Sequence, residues 1–186
     1  MFLRFSGAAA AIAILFAAAP AAAEPAPGFD CAVARIPDQT RARIRQAYVE
    51  TGIESVAAML LERGLLERMS SCVAPGSSAR LLGRLIMAHE LQGAARIALT
   101  TRRGFDTARL DRAFASMSAA DRALIAAGSD PASPPEARDG MHAPLLRLFS
   151  AASRRDASAF LAEPGLAQDF FAYVGSRSYL ESFDGR

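Results

Sequence analysis

Apolar residues recur along the chain three and four positions apart, in short stretches that glycines and prolines interrupt. Such spacing places the apolar side chains on one face of a helix. One such stretch begins after Ser78 and carries Leu82, Leu85, Ile86 and His89 at positions i, i+3, i+4 and i+7. No alternation of apolar and polar residues is long enough to indicate a strand. The pattern therefore predicts an all-α fold, a single-domain bundle of seven to eight short helices.

Residues with short polar side chains mark the start of several predicted helices. A serine or aspartate at an N-cap accepts a hydrogen bond from a backbone N–H of the first turn. This rule predicts caps at Asp38, Asp106, Ser118 and Asp156. The helices are then expected to begin near residues 38, 53, 78, 106, 118, 144, 156 and 166, and the last to run to about Phe183.

Two proline-rich segments are predicted to lie outside these helices. Residues 24–37 contain three prolines and lack apolar periodicity. We therefore expect an extended N-terminal lead-in there, followed by a helical domain over residues 38–186. Residues 129–143 also carry three prolines, and we expect them to form the longest polar loop of the domain.

A short near-repeat follows the second predicted helix. Leu60-Leu61-Glu62-Arg63 is followed almost at once by Leu65-Leu66-Glu67-Arg68. The five-residue period matches no repeat architecture, because a repeating structural unit needs about twenty residues or more. We interpret the repeat as chance.

The first 23 residues carry the three parts of a secretory signal peptide. Arg4 is the only charge before Glu24, an apolar stretch follows from Ala8 to Ala19, and Ala21-Ala22-Ala23 supplies the small residues before a cleavage site. The alternative is an uncleaved anchor, but a membrane span needs about 20 strongly apolar residues and this stretch is mostly alanine. We therefore predict cleavage after Ala23, export to the periplasm or beyond, and no stable membrane span afterwards.

Arginine supplies all of the basic side chains, because the chain contains no lysine. The absence of lysine excludes Walker A loops, Schiff-base lysines and Ser-x-x-Lys acylases. The leader holds one of the 21 basic residues and none of the 19 acidic ones, so the rest of the chain is nearly neutral. Nucleic-acid binding needs a clustered positive face, and we expect no such partner. Asparagine and tryptophan are also absent, while alanine and arginine abound, a bias typical of GC-rich bacterial genomes.

Cys31 and Cys72 are the only cysteines, and both lie beyond the leader. An even pair in an exported protein is most simply one disulfide. Closing a loop of about 40 residues would stabilise the fold by roughly 4 kcal/mol in the chain-entropy model. The alternative, a reactive or metal-binding pair, lacks the C-x-x-C spacing such sites usually have.

His89 and Glu90 are the first candidates for acid–base chemistry, since histidine is the usual proton carrier near neutral pH. His89 lies on the apolar stripe and Glu90 points about 100° away around the helix, so we expect a half-buried histidine rather than a working pair. The second histidine of a zinc-binding H-E-x-x-H motif is missing. A site built from both cysteines, His89 and His142 matches no known ligand spacing. We therefore predict no metal and no cofactor.

Glu54 is a further candidate acid. Glu54-Ser55 resembles the Glu-Ser dipeptide of lytic transglycosylases, periplasmic all-α enzymes whose glutamate is a general acid, which implies that role for Glu54. The resemblance covers two residues, and Met59-Leu60-Leu61-Glu62 stands where that family has a Gly-Leu-Met-Gln-type segment. A glycoside hydrolase would also need a second carboxylate about 5–10 Å from Glu54 or Glu90 across a concave pocket.

Six aromatic residues lie in the C-terminal stretch: Phe160, Phe170, Phe171, Tyr173, Tyr179 and Phe183. Most large aromatics are buried, so we expect this group to close the core. Tyr173 and Tyr179 lie partly off the apolar stripe of the last helix. Because tyrosine is enriched at interfaces, the alternative is that these two form an exposed surface for a partner.

Taken together, the sequence favours an exported helical domain that acts by binding, as an accessory module of the cell envelope whose partner is another envelope protein. The competing function is a carboxylate-based hydrolase of cell-wall glycan, because carboxylates are the only catalytic groups present in quantity. The two functions make different demands. The enzyme needs converging carboxylates in a cleft, and the binding protein needs an exposed apolar patch or groove.

Overall fold

The computed structural model of the chain describes residues 28–73, 78–130 and 133–184. Every regular element within these ranges is an α-helix and none is a strand, which confirms the predicted all-α class. The helices are α1 (Phe29–Ala34), α2 (Asp38–Thr51), α3 (Ile53–Leu60), α4 (Arg63–Ser70), α5 (Ala79–Thr101), α6 (Thr107–Ala115), α7 (Ala119–Ser129), α8 (Pro135–Gly140), α9 (His142–Ser153), α10 (Ala157–Ala162) and α11 (Pro164–Asp184). The predicted signal peptide, residues 1–23, lies outside the described residues.

The two longest helices, α5 and α11, pack against each other at the centre of the bundle. They run antiparallel. Arg103, just after the end of α5, pairs with Asp169 near the start of α11, whereas Leu85 and Leu180 share a small buried cluster near the opposite ends. The other helices pack around this pair, with α2 and α3 against α5, and α7 and α10 against α11. Among the described helices, none combines the length and hydropathy that crossing a bilayer requires.

A cluster of phenylalanines forms the core between α9, α10 and α11. The ring centroids of Phe105, Phe149, Phe160 and Phe170 lie 5.2 to 6.1 Å apart in tilted and edge-on pairs. Such geometries are favourable for aromatic rings beyond the area they bury. Phe149 and Phe170 are fully buried, and Phe160 is nearly so. The prediction that the C-terminal phenylalanines close the core is therefore confirmed for Phe160 and Phe170.

Three of the four predicted caps are confirmed. Asp106, Ser118 and Asp156 each accept a hydrogen bond from a backbone N–H two or three residues later, and Ser78 forms a further cap of the same kind. At the fourth position Asp38 is the first residue of its helix, and the cap position is taken by Pro37. Capping is decided by residues adjacent in the chain, which is why local sequence predicts it well.

The N-terminal segment differs from its prediction. An extended lead-in over residues 24–37 is wrong for residues 29–34, which form α1 and contact both α4 and α5. Just before α1, Gly28 has a φ of 99°, and a Cβ there would lie 2.0 Å from the carbonyl oxygen of Cys72. Only glycine fits this position. The short helix is thus formed where the chain is held against Cys72 rather than by any periodicity of its own.

The predicted polar loop over residues 129–143 is also interrupted by a helix. Residues 135–140 form α8, a helix of six residues that packs against α7. Pro135 occupies the first helical position, where proline is favoured because its missing N–H would have no partner within the helix. Eight of the eleven described helices begin near a predicted start, in agreement with the predicted number of seven to eight, and α1, α4 and α8 are additional.

Candidate functional site

An apolar cleft of about 820 Å³ opens on the described surface. Its lining comes from five parts of the fold: α3, α4, α5, α11, and the end of α7 with α8 and the residue that follows it. Residues from α5 and α11 are shared between the bundle core and the cleft, so the central helix pair also supplies the base of the site. Ligand pockets in proteins typically measure about 300–1,000 Å³, and the cleft falls in this range.

The interior of the cleft is dominated by aliphatic, aromatic and methionine side chains: Leu60, Met69, Ile86, Met87, Leu91, Met141 and Phe171. Three of these are methionines, and each comes from a different part of the fold. The methionine side chain is unbranched and polarisable, so it adapts to apolar groups of different shape. A methionine-rich wall is therefore suited to binding nonpolar molecules of different shapes.

One side of the cleft exposes large apolar residues to solvent. Ile53, Leu61 and Leu66 are 38%, 66% and 41% exposed, and all three line the cleft. Leu60 and Leu65, by contrast, are 5% and 6% exposed. The near-repeat interpreted as chance therefore has a structural meaning: each of its copies buries its first leucine in the core and presents its second at the cleft. Contiguous exposed apolar surface of this kind marks binding sites.

Two glycines shape the cleft in different ways. A Cβ on Gly128 would lie 2.7 Å from both the Ala137 carbonyl oxygen and the Met141 sulfur, so the absence of a side chain lets α8 approach α7 closely. Gly83 is exposed on α5, and a Cβ there would meet no atom within 4 Å. The space beside Gly83 is part of the cleft, and a larger side chain at this position would project into it.

A polar cluster lies on the cleft wall near the start of α5. Arg84 donates a hydrogen bond to Asp130 at 2.9 Å, and both side chains are about 70% buried. Tyr179 of α11 lies beside this pair. Burial first, and then the negative charge of Asp130, raise the pKa of the Tyr179 hydroxyl against the opposing effect of Arg84. The hydroxyl thus stays protonated as a hydrogen-bond donor at the cleft wall.

The structure separates the predicted catalytic carboxylates from the cleft. Glu54 is exposed on α3, and Glu90 is 1% exposed inside the bundle; neither lines the cleft. The one carboxylate among the described lining residues is Asp130, which is already paired with Arg84. Among its described residues, the cleft lining therefore does not bring together the two carboxylates that glycoside hydrolysis requires.

His89 and Glu90 do interact, contrary to the prediction from the helical wheel. His89 Nδ1 lies 3.0 Å from Glu90 Oε1, and Arg41 Nε donates to the same oxygen at 3.2 Å. The wheel describes the directions of Cα–Cβ bonds, whereas the longer side chains of neighbouring residues can bend towards each other. His89 is half-buried, as predicted. The unexpected feature is the burial of Glu90, which joins α5 to α2.

The electrostatics of Glu90 reflect two opposing effects. Burial by itself raises the pKa of this carboxyl, but the hydrogen bonds and positive charge of His89 and Arg41 outweigh it, so the pKa lies below its ordinary value of 4.5. Arg41 also donates to the Val33 carbonyl oxygen at 2.9 Å. The buried Glu90–Arg41 ion pair therefore joins α5 to α2, and Arg41 extends the contact to α1.

Tyr173 belongs to the core, as expected for the C-terminal aromatics, so the alternative that it forms a partner surface is wrong. It is 1% exposed, and its hydroxyl donates to Asp111 at 2.9 Å. Arg177 donates to both groups and stacks over the Phe114 ring, so Tyr173 is part of a buried network between α11 and α6. Tyr179 is half-buried and lines the cleft, so its role towards a partner stays a prediction.

The cleft lining contains neither a cysteine nor a histidine among its described residues. Cys31 and Cys72 form a disulfide across 41 residues, as the sequence predicts. His142 is exposed at the start of α9, away from the cleft lining. Within the described ranges, no three His, Cys, Asp or Glu side chains come together as a metal site would require.

The geometry can therefore hold a nonpolar molecule against methionines and leucines, next to a polar cluster at one part of the wall. Sequence reasoning missed this site, although the two adjacent leucine pairs were a signal for it. Comparison with known proteins found no matching family model, no matching curated protein and no matching solved structure.

Proposed function

We propose that the protein is an exported, non-catalytic binding module of the cell envelope that holds a nonpolar or amphipathic molecule in the apolar cleft. The observation that carries this proposal is the cleft itself, about 820 Å³ in volume with predominantly apolar lining and three exposed leucine or isoleucine side chains on one side. Apolar pockets with a few placed polar groups are the usual form of small-molecule sites. Burying apolar surface of a ligand is favourable by about 25 cal/mol per Å².

Hydrolysis of cell-wall glycan is the competing function, and the cleft offers less support for it. Glu54 and Glu90 lie outside the lining, and the single carboxylate of the lining, Asp130, is engaged by Arg84. An acid and a base or nucleophile on opposite sides of a sugar would need two carboxylates. Binding requires nothing beyond what the lining supplies.

A fluorescence titration with the neutral apolar probe N-phenyl-1-naphthylamine tests the proposal. The protein recovered from the periplasm of an expressing bacterium should bind one probe molecule saturably. Gly83→Leu should weaken binding at least about tenfold, since its side chain fills the open space beside α5. Leucine is a better helix former than glycine by about 0.5–1 kcal/mol, so the variant should fold at least as stably as the parent.

Gly64→Leu is the matched control. Gly64 is also exposed on a helix, and a Cβ there would likewise meet no atom within 4 Å, but this residue does not line the cleft. The control variant should bind the probe like the parent. If Gly83→Leu bound the probe as tightly as Gly64→Leu does, the probe would bind outside the cleft, contrary to the proposal. Absence of probe binding together with turnover of peptidoglycan would overturn the proposal in favour of the hydrolase.

Export is supported by the leader and by the disulfide, since disulfides persist in oxidising compartments. We expect the intact mass of the chain recovered from the periplasm to lack residues 1–23. Recovery of the chain with its leader still attached, in the membrane fraction, would contradict cleavage and favour the anchor.

A further inference from the structure

The charged residues of the cleft lining are not balanced. Arg80 and Arg84 of α5 and Arg138 of α8 line the cleft, against the single carboxylate of Asp130. Asp130 pairs with Arg84, which leaves Arg80 and Arg138 without a carboxylate partner among the described residues. The lining therefore carries two more positive than negative charges. A surface with this excess attracts an anionic group.

These charges are gathered at one part of the cleft. Arg80 and Arg84 lie one turn apart at the start of α5, and Arg84 contacts Asp130. Ser133 connects Asp130 to Arg138, since its N–H donates to the Asp130 carbonyl and its own carbonyl accepts from the Arg138 guanidinium. The cluster thus spans the start of α5, the end of α7 and α8.

The apolar lining extends away from this cluster along α5. Met87 and Leu91 follow Arg80 by two and three helical turns, so Leu91 lies about 16 Å further along the helix axis at 1.5 Å per residue. Met69 of α4 and Met141 add apolar surface from neighbouring elements. A ligand that used the whole cleft would therefore have a charged end at the arginines and an extended apolar part.

Resting on the proposed binding function, we infer that the ligand is a free single-chain amphiphile with an anionic head group. Its head lies at Arg80 and Arg138, and its chain lies among Met69, Met87 and Met141. Guanidinium groups bind carboxylate and phosphate oxygens through paired hydrogen bonds, which suits an anionic head. Among the described residues, the apolar interior of the cleft has no charged side chain to pair with a second ionic group. A ligand with a second charge on its apolar chain is therefore excluded.

Calorimetric titration at pH 8 with chain-matched amphiphiles tests this inference. We expect dodecanoate to bind about tenfold more tightly than dodecyltrimethylammonium, and acetate not to bind measurably. In the double variant Arg80→Gln/Arg138→Gln, dodecanoate affinity should fall about tenfold, while affinity for uncharged dodecanol should stay within about twofold. Raising the salt concentration should weaken dodecanoate binding more in the parent than in the variant, because salt screens the charges of Arg80 and Arg138 and the variant lacks both.

The control is Arg35→Gln/Arg112→Gln, which removes the same charge from two exposed arginines outside the cleft. It should leave all affinities unchanged. Equal loss of dodecanoate binding in both double variants, or tighter binding of the cationic amphiphile, would overturn the inference while leaving the proposed function intact. Binding to vesicles of anionic phospholipid in place of monomeric dodecanoate would also overturn it. Failure of dodecanol and the neutral probe to bind at all would instead contradict the proposed function.

Discussion

Replacing both cysteines in Cys31→Ser/Cys72→Ser is expected to lower the free energy of unfolding by about 4 kcal/mol. The bond closes a loop of 41 residues, and the unfolded chain gains the corresponding conformational entropy when the bond is absent. For a domain of this size the change corresponds to a fall in Tm of about 10 °C. Urea unfolding followed by circular dichroism, with and without reductant, measures the difference.

The same bond has a consequence for the cleft. Cys72 follows α4, which carries Leu66 and Met69 of the lining, and Cys31 lies in α1. Loss of the disulfide should therefore loosen the side of the cleft that α4 forms. It should weaken binding of the neutral probe in addition to lowering the free energy of unfolding. Reductant should change nothing in the double variant, which serves as its control. A stability loss below about 1 kcal/mol would show that α1 and α4 are held by packing alone.

Glu90→Ala is expected to destabilise the fold by about 3 kcal/mol. The substitution removes a carboxylate that is 1% exposed and leaves Arg41, itself 20% exposed, without its buried partner. Removing one member of a buried ion pair costs about 3–5 kcal/mol, and the partial exposure of Arg41 places the effect at the lower end. Glu67→Ala is the control, because Glu67 pairs with Arg63 on the surface, and it should cost no more than about 0.5 kcal/mol.

The pH dependence of this effect has a definite sign. The pKa of Glu90 is lower in the folded state than its ordinary value of 4.5, so the stability it contributes is fully present above pH 4.5 and is lost as the pH falls through the folded-state pKa. The gap in unfolding free energy between the parent and Glu90→Gln should accordingly narrow below that pH. Arg41 and Asp38 on α2, with His89 on α5, are the charged groups around the site. A gap that widened on acidification would contradict this assignment.

Local rules predicted the parts of the fold that depend on neighbouring residues. The caps at Asp106 and Ser118 follow from one side chain and a backbone N–H three residues away. By contrast, α1 depends on the contact of Gly28 with Cys72, more than 40 residues away in the chain. A six-residue helix is too short to be stable alone, so no periodicity could reveal it.

The burial of Glu90 could not be read from the apolar stripe of α5. Helices pack on more than one side of α5, and its buried residues extend well beyond the predicted stripe: Ala88, Glu90, Ala94, Ala95 and Ala98 among them. A helix buried on most sides has no polar face to which a charged residue can be assigned. The run of alanines after Glu90 was the available signal, since small residues permit close helix packing on every side.

The cleft could be predicted only from the spacing between helices, which the sequence pattern does not give. Sequence pattern separates inward from outward positions, but it does not say where two inward-facing surfaces fail to meet. The paired leucines at residues 60–61 and 65–66 carried part of the information, because an apolar residue beside a buried one must face a second apolar environment or solvent. The alternative of a partner-facing Tyr173 is wrong for a related reason, since its hydroxyl donates to Asp111 of α6, a contact that forms only in the folded bundle.

Methyl NMR of the protein labelled at its methionines measures directly whether the cleft is the binding site. Met69, Met87 and Met141 line the cleft, whereas Met59 and Met117 pack against the core outside it. With N-phenyl-1-naphthylamine added to saturation, the three cleft methyl resonances should shift together and follow a single binding curve. The other two should stay within the line width. Shifts confined to Met59 and Met117, or probe binding that moves none of the three cleft methyls, would contradict the proposed function.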